Sequence, residues 1–205
     1  MSNKGLNVVV VGVTGGIACG KSEVGRILSE MGFAVCDADR VAHDLMKKGT
    51  SIFSQVVDRF GTRILAANGE ISRPILGKIV FENPGQREFL NELVHPAVRE
   101  SLTGWIDQMR SGEKHAAVLI PLLFESGMQD MDWDAVVCVS SYEEEIFQRL
   151  EKRGLSREDA ERRMYSQMPL EKKEKLADYV VPNHGTLGEL ELATRKTVEA
   201  IVGER

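Results

Sequence analysis

Residues 8–30 constrain this chain more than any other stretch. Val8 to Thr14 is an apolar, β-branched run, Gly15-Gly-Ile-Ala-Cys-Gly-Lys-Ser22 is a glycine-rich turn, and Glu23 to Glu30 opens a helical pattern. Gly15-x-x-x-x-Gly20-Lys21-Ser22 is a P-loop pattern in the strand–turn–helix setting that the pattern requires. Glycines let backbone N–H groups converge on phosphate oxygens without side chains in the way, and the helix N-terminus adds partial positive charge. Lys21 is placed to reach the β- and γ-phosphates of a nucleoside triphosphate, and the Ser22 hydroxyl to ligate Mg²⁺.

The rest of the chain reads as an α/β core with two departures. A first helix carries Val24, Ile27, Leu28 and Met31 and stops at Gly32. Phe33-Ala-Val-Cys36 is a short second strand ending at Asp37-Ala-Asp39, and a helical pattern follows to Gly49. In parallel sheets ligands bind beyond the carboxyl ends of strands, so Asp37 and Asp39 fall on the P-loop's side, one as a helix N-cap and the other facing ligand. Residues 51–113 are helical almost throughout: Ser51–Phe60, a helix from Ser72, and a third from the Asn83-Pro84 start signal. His95, before Pro96, reads as a helix-junction residue. This is far more helix than one crossover needs, so it reads as an insertion over the strand ends.

The core resumes at His115–Glu125, whose five apolar residues after His115 suit a strand buried on both faces. Trp133–Val139 is the fourth strand, and a helix from Ser140 runs to Gly154. Arg149, Arg153, Arg157, Arg162 and Arg163 then surround a hinge at Gly154, with a capping signal at Ser156. Such a run is either a solvated helix face or a lid that closes on ATP. Met168-Pro169 ends that helix, Ala177–Val181 is the fifth strand, and a final helix follows Gly185.

Composition narrows the partners. A net charge of −5 over 205 residues argues against a general nucleic-acid binder, and no apolar run reaches membrane-spanning length. With no targeting segment after Lys4, the expectation is a soluble, cytoplasmic protein. The four histidines show no ligand spacing. Cys36 and Cys138 read as core residues. Cys19, at a helix N-terminus beside Lys21, is either a thiol of lowered pKa or a small residue that fits the turn.

The type of phosphate chemistry follows from what accompanies the loop. No guanine-reading Asn-Lys-x-Asp is present, and the third strand ends in one acid rather than the pair common in oligomeric ATPases. A small core, a helical insertion and a late arginine-rich hinge suit a small-molecule kinase. A nucleotide kinase of adenylate-kinase type and a non-enzymatic ATP switch are the other readings.

Several stretches together resemble the dephospho-coenzyme A kinase family along nearly the whole chain. They are Thr14–Ser22, Asp37-Ala-Asp39 with Ala42-His43, Leu93-Val-His-Pro96, Pro121-Leu-Leu-Phe-Glu125, Gln148-Arg-Leu with Arg153, Ala160-x-x-Arg163-x-x-x-Gln167, and Ala177-Asp-Tyr-Val-Val-Pro-Asn-x-Gly185. The resemblance implies a three-layer α/β/α P-loop kinase fold with a five-stranded parallel sheet. It implies one domain, with a core of residues 5–39, 114–141 and 176–205, an acceptor-binding helical region 40–113 and a lid 142–170. The implied reaction is phosphorylation of the ribose 3′-hydroxyl of dephospho-coenzyme A by ATP with Mg²⁺, the last step of coenzyme A synthesis. Gly15, Gly16, Ile17, Ala18, Cys19, Gly20, Lys21, Ser22 and Glu23 would hold ATP, with Asn183 near its adenine. Asp37 would orient or deprotonate the acceptor hydroxyl, with Asp39 beside it, and Arg149 and Arg163 would be lid arginines acting with Lys21. Asp39 and Glu125 are both candidates to hold Mg²⁺ through water. Two residues depart from the family pattern: Cys19 replaces Ser or Gly, and Glu23 stands where Thr is common.

Overall fold

The structure, a computed structural model, describes residues 8–203. Lys4, and residues 5–7 and 204–205 assigned to the core from the sequence, lie outside the described residues. The elements in order are β1 (Val10–Gly15), α1 (Lys21–Glu30), β2 (Ala34–Asp37), α2 (Ala38–Leu45), α3 (Ser51–Phe60), α4 (Arg73–Glu82), α5 (Pro84–Ser111), β3 (Ala116–Leu119), β4 (Ala135–Ser140), α6 (Glu143–Glu151), α7 (Arg157–Tyr165), α8 (Leu170–Leu176), β5 (Tyr179–Pro182) and α9 (Leu187–Gly203). They form two compact units: residues up to Asp37 together with Trp105 onward, and Ala38–Gly104.

The first unit is built on a five-stranded sheet in the order β2-β3-β1-β4-β5, parallel throughout, as expected. Alternation along the strands decides its faces. Val9, Val11 and Val13 join Ala117, Leu119, Val137 and Val139 in a cluster with Val24, Ile27 and Leu28 of α1, Ile146, Phe147 and Leu150 of α6, and Leu190, Val198 and Ile201 of α9. Burying the three α1 side chains stabilises the unit by roughly 2 kcal/mol each. On the opposite face, Gly12 lies so close to Leu123 and Trp133 that a methyl group there would press on both. The β1 strand lies between β3 and β4, so the crevice beyond its carboxyl end is the topological switch point of the sheet.

In the second unit, α3 is capped by Thr50, whose side chain accepts from Phe53 N at 3.0 Å, and buries Ile52, Val56 and Phe60. Asn83 caps α5 as its sequence announced, its Oδ1 accepting from Gln86 N at 3.2 Å.

Four expectations are corrected. His95 is no junction: α5 runs unbroken through Pro96. An interior proline costs about 3 kcal/mol, and burial of Val94 and Val98 on either side of it offsets that cost. The α2 helix ends at Leu45, not Gly49, and α7 ends at Tyr165, three residues before Met168. The fourth strand starts at Ala135 and extends to Ser140, because the Asp134 carboxylate is taken up by Val10 N (2.6 Å) and Arg110 (3.2 Å). The α8 helix was not foreseen at all; its sequence, Leu170-Glu-Lys-Lys-Glu-Lys-Leu176, looks like a solvated charge run.

Candidate nucleotide and phosphoryl-transfer site

The P-loop joins β1 to α1, and contacts from both neighbours set its shape. Gly15 has φ +144°, and a Cβ there would overlap the Val139 carbonyl oxygen of β4. Gly20, the N-cap of α1, has φ +104°, and a Cβ there would overlap the Asn183 side-chain amide. Both positions therefore demand glycine for space as well as for conformation. Among the described residues no side chain caps α1, whose N-terminus presents the positive helix end that favours anions. Lys21 folds back over the loop, Nζ donating to Gly15 O at 3.0 Å and Gly16 O at 2.8 Å.

Asn183 and Arg149 hold the middle of the loop from the side of β5. Asn183 Nδ2 donates to Cys19 O at 2.8 Å, and Asn183 N donates to Ser140 O at 2.7 Å. Arg149 Nη1 donates to Ala18 O (3.2 Å) and Ser141 Oγ (3.0 Å), while Nη2 donates to Asn183 O (3.1 Å) and pairs with Glu145 (3.3 Å). The planar guanidinium thus ties together the loop, the end of β4 and the end of β5. Arg163 is exposed on α7 beyond Gly154, which has φ +84° and open space around it. Ser156 caps α7, accepting from Asp159 N at 3.1 Å.

Asp37 is the exposed last residue of β2. It is level with Leu119 of β3, which is level with Val13 of β1. Two interstrand spacings put the Asp37 backbone about 10 Å from β1, at the height of Val13, two residues before β1 ends at Gly15. Asp39 lies in the first turn of α2, exposed, in the second unit.

Burial decides between the two readings of Cys19 in favour of the small residue that fits the turn. It is fully enclosed, and desolvation pushes its thiol pKa up despite the opposing pull of Lys21. Cys138, buried in β4, is pushed up to about 12, first by burial and then by the Cys19 and Glu174 charges. Glu23 turns along its own helix: Oε1 lies 2.7 Å from both Nε and Nη2 of Arg26, which also contacts Glu30. An acid at this departure from the family pattern therefore carries its own counter-charge.

Hard oxygen donors suit Mg²⁺, which keeps several waters and binds through substrate phosphates rather than a protein cage. The exposed Ser22 hydroxyl in the first turn of α1 fits that chemistry, and among the described residues no cluster of three His, Cys, Asp or Glu forms a cage of its own. Among the described residues no helix is long and apolar enough to cross a membrane.

Three residues of the site were given no role from the sequence. Gln167 Oε1 accepts from Ile17 N at 3.1 Å, Lys173 is wholly buried against Glu125 at 2.8 Å, and Ser141 links Arg149 to Asn183. Lys173 follows Leu170 by one turn, which was the available signal, but the charges on either side mask it.

A parallel sheet in this order, with a P-loop at its switch point and an acid at the end of the neighbouring strand pair, defines a P-loop kinase. Comparison with known proteins narrows the class. The profile of dephospho-CoA kinase matches residues 9–189. The dephospho-CoA kinase of Carboxydothermus hydrogenoformans is 43% identical over 179 residues, 87% of each chain. That of Bacillus anthracis is 42% identical over 95% of this chain and 96% of its own. The solved dephospho-CoA kinase from Campylobacter jejuni superposes with a TM-score of 0.71 at 29% identity, covering 96% of this chain and 98% of that one. The chain belongs to the dephospho-CoA kinase family.

Proposed function

We infer that this protein transfers the γ-phosphoryl group of ATP to the ribose 3′-hydroxyl of dephospho-coenzyme A, giving coenzyme A and ADP, and that Asp37 orients the acceptor. Family membership supports the reaction. The observation that supports Asp37 is its register: an exposed acid at a strand end, two strands from β1 and level with Val13, two residues before the P-loop begins.

Transfer passes through a loose transition state, so positioning and charge stabilisation do most of the work. Asp37 accepts a hydrogen bond from the 3′-hydroxyl, aligns it with the γ-phosphorus and receives its proton as the P–O bond forms. Lys21 leaves the Gly15 and Gly16 carbonyls to neutralise the transferring group. Arg163 comes down with α7, in a lid of residues 142–170 hinged at Gly154, and Arg149 acts from its seat beside the loop. Ser22 would hold Mg²⁺, which would supply neutralisation of the phosphate charge. Asn183 sets the loop wall near the base, and the helical region 40–113, with Asp39 at its start, receives the acceptor. All three cysteines are free, which suits a reducing cytoplasm.

Asp37→Asn keeps the shape and removes the base. The expected result is a kcat about 10²-fold lower or more, with ATP affinity by calorimetry unchanged. Full turnover would remove Asp37 from the mechanism.

A further inference from the structure

Lys173 sits oddly among the charges of α8. Its side chain is 0% exposed, whereas its neighbours Lys172 and Lys175 are solvated. Burying an ammonium returns little net stability even when it is paired, and the best-attested use of such a pair is to specify one geometry over another. The contacts show which geometry this pair specifies. Lys173 Nζ donates to Pro121 O at 2.7 Å and pairs with Glu125 Oε1 at 2.8 Å. The same Pro121 O accepts from Thr14 Oγ1 at 3.3 Å, and Thr14 is the buried residue that leads β1 into the P-loop. The same Glu125 Oε1 accepts from Met168 N at 2.9 Å. One residue earlier, Gln167 reaches Ile17 N in the loop, and one turn later Leu170 packs beside Gly16. Glu174 completes the attachment through Ser140 at the end of β4.

The contacts to Thr14, Gly16 and Ile17 act on residues 14–17, the strand-exit half of the loop, whereas Arg149 and Asn183 act on Ala18 and Cys19. They also fix the point where α7 passes into α8, opposite the open Gly154 end of α7. We propose that Lys173 and Glu125 are positioning residues for nucleotide binding: they clamp the α7–α8 junction to the P-loop, so that Gln167 and Thr14 hold residues 14–17 in the phosphate-binding shape. Glu125 acts here as the acceptor of this clamp. The proposal rests on the reading of Gly15–Ser22 as the ATP site.

The test uses two variants. Gln167→Ala cuts the partly exposed tether to Ile17 alone. The double variant Glu125→Gln with Lys173→Met removes both charges together, keeps an acceptor for Met168 N and leaves no unpaired buried ion. In both, KM for ATP should rise about fivefold or more, the factor that one net hydrogen bond is worth, while KM for dephospho-coenzyme A stays within about twofold. Gln167→Ala should melt within about 2 °C of the parent, so a kinetic effect in that variant is not a folding defect. The double variant should be more stable than Glu125→Gln alone, because the single change strands a buried ammonium. An ATP KM unchanged in both variants, or equal rises for both substrates, would overturn the positioning role. Failure of the parent protein to bind ATP in calorimetry would instead overturn the nucleotide-site reading beneath it.

Discussion

Arg149→Met separates two ways in which an arginine can serve this site. The side chain is 28% exposed and keeps four polar partners. Methionine matches the length of the aliphatic stem but offers no donor. Two backbone carbonyls, Ala18 O and Asn183 O, would each lose the Arg149 bond; at about 1 kcal/mol each this is about 2 kcal/mol. The pair with Glu145 adds a few tenths at this exposure, and Ser141 Oγ, 2.7 Å from Glu145, is left partnered. For a chain of this size, about 2 kcal/mol corresponds to a melting temperature roughly 4–8 °C lower. The measurement is thermal unfolding of the nucleotide-free protein, followed by calorimetric titration with ATP. The expected result is that drop without ligand, together with weaker ATP binding. If the free protein melts within about 1 °C of the parent, Arg149 does not hold the loop to β5 and the reading of its hydrogen bonds is wrong.

Two further outcomes follow from burial. Cys19, enclosed and raised in pKa by desolvation, should resist iodoacetamide at neutral pH in the native protein and react with the other two cysteines once urea unfolds the chain, as peptide mass mapping would report; alkylation at the rate of a free thiol would contradict this, since only the thiolate reacts. Half-buried His95 has its pKa held below the usual 6.5 by desolvation. The unfolded chain therefore binds the proton more readily, and its contribution to stability is lost as pH falls below about 6.5; His95→Gln should flatten the decline in melting temperature between about pH 7 and pH 5, and an unchanged slope would contradict the assignment.

The sheet and the loop were legible because their signals are local. Val8–Thr14 and His115–Ile120 are apolar runs with clear ends, and Gly15–Ser22 carries its meaning in consecutive residues. The caps at Asn83 and Ser156 were equally readable. Harder to read was anything decided by tertiary burial. The apolar pattern of Leu90, Leu93, Val94 and Val98 runs through His95-Pro96, yet His95 before a proline reads as a junction until Val94 and Val98 are seen to be buried in one unbroken helix. Cys19 beside Lys21 leaves two readings open, and burial in the closed loop is what selects the small residue that fits the turn. Leu170–Leu176 offers no reading of its helix or of its buried lysine, because nothing local distinguishes Lys173, the one lysine of the helix that meets Glu125, from Lys172 and Lys175. Arg149 was picked out by family resemblance as a residue that acts on ATP; its work between Ala18 and Asn183 depends on two strand ends that sequence spacing does not bring together.

Acceptor choice tests the proposed reaction most directly. Release of ADP from magnesium-ATP should be measured with dephospho-coenzyme A, adenosine, AMP and CMP in parallel, with the product identified by mass. The expected result is turnover with dephospho-coenzyme A alone, one phosphate added at the ribose 3′ position, and little ADP when no acceptor is present. Preference for AMP or CMP would make the protein a nucleotide kinase, and ADP release indifferent to acceptor would contradict phosphoryl transfer to dephospho-coenzyme A.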